Sequence, residues 1–136
     1  MFITSWMGII DLKNGKLSFV NAGHEPPILK SNNKYKWLKN KPNFVLGLIE
    51  EVNYDIHEIQ LNDGDKILLY TDGVTEANDN YNGFFTKEGL MESFSKNSDL
   101  SVKEDIEFIK NEIFKFTKGA EQFDDMTMLL LKFYKD

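Results

Sequence analysis

The 136-residue chain has no cysteine, which rules out disulfides and thiolate metal sites and leads us to expect an intracellular setting. It has no arginine either, since all 16 of its basic residues are lysine. The planar two-pronged clamp usually favoured for phosphate or carboxylate is therefore missing, and an anionic ligand must be held by metal, backbone or lysine. Histidine is confined to His24 and His57, so zinc is a poor fit to the ligand supply. No apolar run approaches the roughly 20 residues of a membrane-spanning helix. The opening Met1-Phe2-Ile3-Thr4-Ser5-Trp6 lacks the basic start of a secretory signal. We expect a cytoplasmic chain with no membrane contact.

A net charge of −6 argues against nucleic-acid binding, which draws its affinity mainly from clustered cations. With 41% hydrophobic residues the chain can bury a core, and its length suits one domain over 1–136. No repeat, linker or low-complexity tract interrupts it.

The first third reads as antiparallel strands. Ile3 to Asp11, the turn Lys13-Asn14-Gly15-Lys16 and Leu17 to Asn21 make a hairpin around an Asn-Gly turn. Ala22-Gly23-His24-Glu25-Pro26-Pro27 interrupts the second strand because proline donates no ladder bond. Ile28-Leu29 resumes it, and Ser31-Asn32-Asn33-Lys34 turns the chain into Tyr35-Lys36-Trp37-Leu38. Five lysines between Lys30 and Lys41 suit either a solvated edge hairpin or a docking patch for an acidic partner. Val52 to Leu61 reads as a strand whose apolar phase slips, so a bulge near His57 is expected. Asn62-Asp63-Gly64-Asp65 turns into the buried strand that ends at Asp72.

The period then changes. Leu90, Met91 and Phe94 suit a helix over Glu88 to Lys96. Ser101-Val102-Lys103-Glu104 has capping-box spacing ahead of a stripe of Ile106, Ile109, Ile113 and Phe116, and Gly119 is placed to end that helix in the left-handed conformation. Met126 to Tyr134 is expected to be a final strand, apolar enough on both faces to lie mid-sheet. Strands followed by helices and a last strand predict an α+β fold with helices against an antiparallel sheet.

Two carboxylate devices could carry chemistry. Leu68-Leu69-Tyr70-Thr71-Asp72-Gly73 ends an apolar strand on Asp72, and Asp124-Asp125-Met126-Thr127 precedes another. Two such ends can meet on a hard cation held by oxygen ligands, which lowers the pKa of bound water and neutralises phosphoryl charge without arginine. Asp72 and Asp124 are the candidate ligands. Gly73 would permit a close backbone approach, and Thr71 or Thr127 could orient a carboxylate. If Asp124 and Asp125 are strand neighbours they point to opposite faces, and alternation does not choose between them. A simple turn at Asp72-Gly73 and a strand cap at Asp124-Asp125 fit the same spacing. His24 suits a general acid or a structural histidine tying the bend by hydrogen bonds. Asp79 to Gly83 reads as a flap or as a solvated loop.

Taken in order, Phe2-Ile3-Thr4, Asn21-Ala22-Gly23-His24-Glu25-Pro26-Pro27, Leu46-Gly47, Asp63-Gly64-Asp65, Leu69 to Ala77 and Asp124-Asp125-Met126-Thr127 resemble the metal-dependent serine/threonine protein phosphatase family (type 2C). The likeness is to its bacterial branch, similar to the stage II sporulation protein E phosphatase. The resemblance implies an antiparallel β-sandwich flanked by helices and a two-metal site taking Mg2+ or Mn2+. It implies dephosphorylation of a phosphoserine or phosphothreonine protein by metal-bound water, with no side chain as nucleophile. Asp72 and Asp124 match metal ligands, Asp125 ranks below Asp124, and Gly73, Thr127 and His24 would support the site. The substrate implied is a regulator such as an anti-sigma-factor antagonist, placing the chain in sigma-factor signalling. Two earlier aspartate motifs of the family precede the stretch matched by Phe2-Ile3-Thr4, so the chain corresponds to the later part of the domain, incomplete at its N-terminus. Exposed apolar surface and a homodimer that hides it are the expected consequences. The alternative is a catalytically inactive module of the same fold that binds a regulatory partner. Where relatives have Phe-Gly and then an arginine before leucine, this chain has Phe84-Phe85-Thr86 and Gly89-Leu90.

Overall fold

The Asn-Gly turn does organise the start of the chain. Gly15 takes φ +78°, and Asp11 collects the Lys13 N–H at 2.9 Å and the Asn14 side-chain amide at 2.7 Å. The turn joins β1 (Ser5–Ile10) to β2 (Lys16–Ala22), antiparallel from Ser5↔Ala22 to Ile10↔Leu17. The computed structural model describes residues 1–41, 43–97, 99–121 and 124–135, and it divides into two compact units, Met1–Lys66 with Lys132–Asp136, and Ile67–Leu131.

In the first unit β2 also pairs with β5 (His57–Gln60), giving the order β1-β2-β5. This strand is shorter than the expected Val52 to Leu61. The ladder stops at Phe19↔His57, where Asp55 and Ile56 are exposed in succession. The phase slip thus ends the pairing, with no bulge to absorb it. A second hairpin joins β3 (Ile28–Ser31) to β4 (Lys34–Trp37). Its turn places Asn32 and Asn33 at φ 50° and 57°, a left-handed pair that asparagine tolerates better than most residues. Leu17, Phe19, Ile28, Leu29, Leu61 and Phe133 are buried here.

The second unit carries β6 (Lys66–Tyr70) from its second residue, with α1 (Asp72–Thr75), α2 (Thr86–Ser95), α3 (Val102–Thr117) and β7 (Met128–Lys132). The capping box of α3 is formed: Ser101 Oγ accepts the Glu104 N–H at 3.3 Å, and Glu104 Oε2 accepts the Ser101 N–H at 2.8 Å. At its far end Lys118, not Gly119, is the capping residue, at φ 48° with its N–H on the Phe114 carbonyl; Gly119 follows at φ 80°. Helix α2 starts two residues earlier than expected, where Thr86 Oγ1 accepts the Gly89 N–H at 3.2 Å. Leu90, Phe94, Ile109 and Ile113 are buried in this unit, as are Ile67, Leu68 and Val74.

β7 overturns two expectations. It begins at Met128, so Asp124 to Thr127 lie in an irregular segment ahead of it and strand alternation does not apply to Asp124 and Asp125. It also stands at the end of its sheet beside β6, not in the middle. Its apolar composition therefore leaves Leu129 61% exposed. Other apolar side chains are open as well, among them Met7 and Ile9 on β1 and Phe114 on α3. Among the described residues no helix is long and apolar enough to cross a membrane.

Candidate metal centre

β6 ends at Tyr70, and the chain turns at once into the single turn of α1, so Asp72 is the first helical residue and not the last of the strand. Its Oδ1 accepts the Gly73 N–H at 3.0 Å. On the other side of the site, Asp124 Oδ1 accepts the Asp125 N–H at 2.7 Å. Both carboxylates are thus braced by the backbone immediately after them, and both residues are exposed.

The two strand ends adjoin. Gly73 is buried, and a Cβ built on it would stand 2.5 Å from the Asp125 carbonyl oxygen and 3.0 Å from its carbon. Since backbone cannot yield as a flexible side chain can, only glycine fits, and the absent Cβ is what lets residues 72–73 lie against 124–125. Thr71 adds three bonds to the same seam. Its N–H donates to the Thr127 carbonyl at 3.0 Å, its hydroxyl accepts the Thr127 N–H at 3.0 Å, and the hydroxyl donates to the Asp125 carbonyl at 3.2 Å. These contacts link residues 54 to 56 positions apart.

Asp72, Asp124 and Asp125 supply hard oxygen donors of the kind magnesium and manganese accept. Among the described residues, however, no group of three or more histidine, cysteine, aspartate or glutamate side chains is arranged to hold a metal. The described residues fit part of a ligand shell, not a whole one. Thr127 is exposed, and it is its backbone N–H and carbonyl that are bonded to Thr71.

His24 belongs to the first unit. Its N–H donates to Asn21 Oδ1 and its carbonyl accepts from Asn21 Nδ2, both at 2.8 Å, while Nδ1 lies 3.0 Å from the Glu25 carbonyl. These bonds hold the bend that interrupts the second strand. The loop after α1 is closed by Asp79, whose Oδ1 accepts the N–H groups of Tyr81 and Gly83, both at 2.8 Å.

One feature was not legible beforehand. A cleft of about 970 Å3 opens beside Gly73 and Asp124, lined by Ile106, Ile113 and Phe114 of α3 and by Met126 and Met128. The available signal was the width of the α3 stripe, since Phe114 lies outside the buried face and is 72% exposed.

The antiparallel sheets with few helices match the type 2C phosphatase fold. Residues 1–134 match the family described as stage II sporulation protein E, and the chain belongs to that family. Protein IcfG of Synechocystis is 35% identical over 130 residues, covering 95% of this chain and 20% of IcfG. The phosphoserine phosphatase RsbU of Bacillus subtilis is 29% identical over 134 residues, 97% of this chain and 39% of RsbU. A solved phosphatase domain of the B. subtilis cell-fate determinant SpoIIE, presoaked with manganese, superposes with a TM-score of 0.74 at 19% identity, covering 98% of this chain and 57% of that one. The chain thus spans less than half the length of these curated relatives.

Proposed function

We propose that the chain is the later part of a phosphatase domain that hydrolyses a phosphoserine or phosphothreonine protein with magnesium or manganese. Asp72 and Asp124 are the metal ligands in this reading, Asp125 stands beside them, and Gly73 and Thr127 belong to the backbone that seats them. The carrying observation is the Gly73–Asp125 contact, which brings together the backbone segments that bear two exposed aspartates from opposite ends of the second unit. A divalent cation bound there would neutralise phosphoryl charge and acidify water, a task this chain has no arginine to share. The chain's own part is to hold two braced carboxylates, one at the start of α1 and one in the segment ahead of β7, with open access to solvent. By kinship the substrate is a phosphorylated regulator such as an anti-sigma-factor antagonist, met in the cytoplasm of a bacterium, and a homodimer covering the exposed apolar side chains accompanies it.

The absence of a three-ligand group among the described residues favours one other reading, a phosphatase-like module that binds a regulatory protein without catalysis. Manganese-dependent hydrolysis of a phosphoserine peptide by the 136-residue chain separates the two. Activity lost in Asp72→Asn supports the enzyme; where the chain alone is inert, the same assay with the preceding part of the domain restored decides, and continued inactivity there supports the binding module.

A further inference from the structure

Thr71 occupies the N-cap position of α1 with extended backbone, φ −89° and ψ 161°, yet its side chain makes no capping bond. A threonine at that position ordinarily turns its oxygen onto the second or third N–H of its own helix. Here the hydroxyl is diverted to the other strand end, where one oxygen both accepts from Thr127 and donates to Asp125. Asp72 braces the start of α1 in its place, through the Gly73 N–H.

We propose that Thr71 is a positioning residue of the candidate metal site, its hydroxyl fixing residues 125–127, and with them Asp124, relative to Asp72. The proposal rests on the metal-site reading above. The backbone bond from Thr71 to Thr127 sets the end of the strand pairing but leaves the segment before Thr127 to swing. The hydroxyl removes that freedom because its two bonds reach different residues, Asp125 and Thr127, on either side of Met126. With the Asp125 carbonyl also against Gly73, the backbone following Asp124 is held from two directions. Asp125 and Thr127 are exposed, so water can replace the lost bonds. Removing the hydroxyl should therefore loosen geometry far more than it lowers stability. Groups that orient metal ligands typically change metal affinity ten- to a hundredfold when removed.

The test is a manganese titration of the isotope-labelled 136-residue chain, read as paramagnetic broadening of the Gly73 and Asp125 amides, with melting temperature measured alongside. Thr71→Val keeps the shape and removes the hydroxyl, and Thr71→Ser keeps the hydroxyl and removes the methyl. The expected result is a midpoint raised about tenfold in Thr71→Val, a wild-type midpoint in Thr71→Ser, and similar melting temperatures in all three. A wild-type midpoint in Thr71→Val, or equal weakening in Thr71→Ser, overturns the positioning role and leaves the metal site standing. Wild-type amides indifferent to manganese overturn the metal site and the positioning role with it. Should Thr71→Val fail to fold, hydrogen exchange of the wild-type Thr127 amide decides: slow exchange supports the pin, and exchange at the rate of a free amide removes it.

Discussion

Each of the two compact units is built on internal contacts of a different reach. In the first, β1 meets β2 across the Asn14-Gly15 turn and β3 meets β4 across Asn32-Asn33; each turn residue dictates the register of the strands beside it. In the second, β6 meets β7 across more than fifty residues, and the seam depends on one glycine, one hydroxyl and the carbonyl of Asp125. The candidate site lies in the second unit, at that long-range seam. Local turns build a sheet economically, but carboxylates from distant sequence positions share a ligand only where the chain returns on itself.

Core truncations should expose the contrast most strongly. Ile109 and Leu17 are each buried, one in each unit, and Ile109→Ala or Leu17→Ala should cost about 2–5 kcal/mol in urea denaturation. One cooperative transition shifted equally by both would show the units to be energetically inseparable, whereas two transitions, each moved by one variant, would show them to be independent.

Gly73→Ala comes next. Alanine in a helix is favoured over glycine by about 1 kcal/mol, but the new Cβ would stand 2.5 Å from the Asp125 oxygen, and overpacking of that kind costs about 1–3 kcal/mol. The expected net result is a loss of stability with weakened manganese binding; a stabilised protein with intact binding would mean that the strand ends part without cost.

Ser101→Ala removes half of a local device and should lower stability by about 1 kcal/mol in thermal melts, with manganese binding unchanged. An effect on the metal would tie α3 to the site through the cleft that Ile106 and Phe114 line.

The smallest effect belongs to Glu112, which takes Lys96 Nζ at 2.6 Å and Lys115 Nζ at 2.9 Å. The Lys96 hydrogen bond foremost, then that of Lys115, holds Glu112 below its ordinary pKa. A depressed folded-state pKa stabilises fully above the unfolded carboxylate range, and that contribution fades as pH falls through the folded value. Glu112→Gln should therefore melt slightly below the wild type at neutral pH and alongside it in acid or high salt. A difference that persists in acid would point to packing, not charge.

Particular residues mark how far the sequence could be read. The Asn-Gly turn, the Ser101–Glu104 capping box and the buried strand before Asp72 were legible because each depends on residues within a few positions of one another. The left-handed Lys118, the early end of β5 and the edge position of β7 were not. Lys118 has a side chain that gives no sign of positive φ. The β5 phase slip allowed either a bulge or a stop, and an apolar strand looks the same whether a neighbour covers it or not. The metal-ligand candidates were legible as types of residue, and Thr71 as a side chain that could orient a carboxylate, but the partners of its hydroxyl were not, since Asp125 and Thr127 are more than fifty residues away.

By itself, then, the sequence determined the kind of chemistry open to this protein: hard oxygen ligands, no thiolate, no arginine, and the motif order of one phosphatase family. Only the tertiary structure decided that Asp72 opens a helix, that Asp124 and Asp125 precede β7 instead of alternating along it, and that Gly73 and Thr71 bind the two ends into one seam. The reason is physical. Composition and short-range spacing limit which groups are present and which turns form, whereas the separation of two carboxylates is set by excluded volume and hydrogen bonds between segments that meet only after folding.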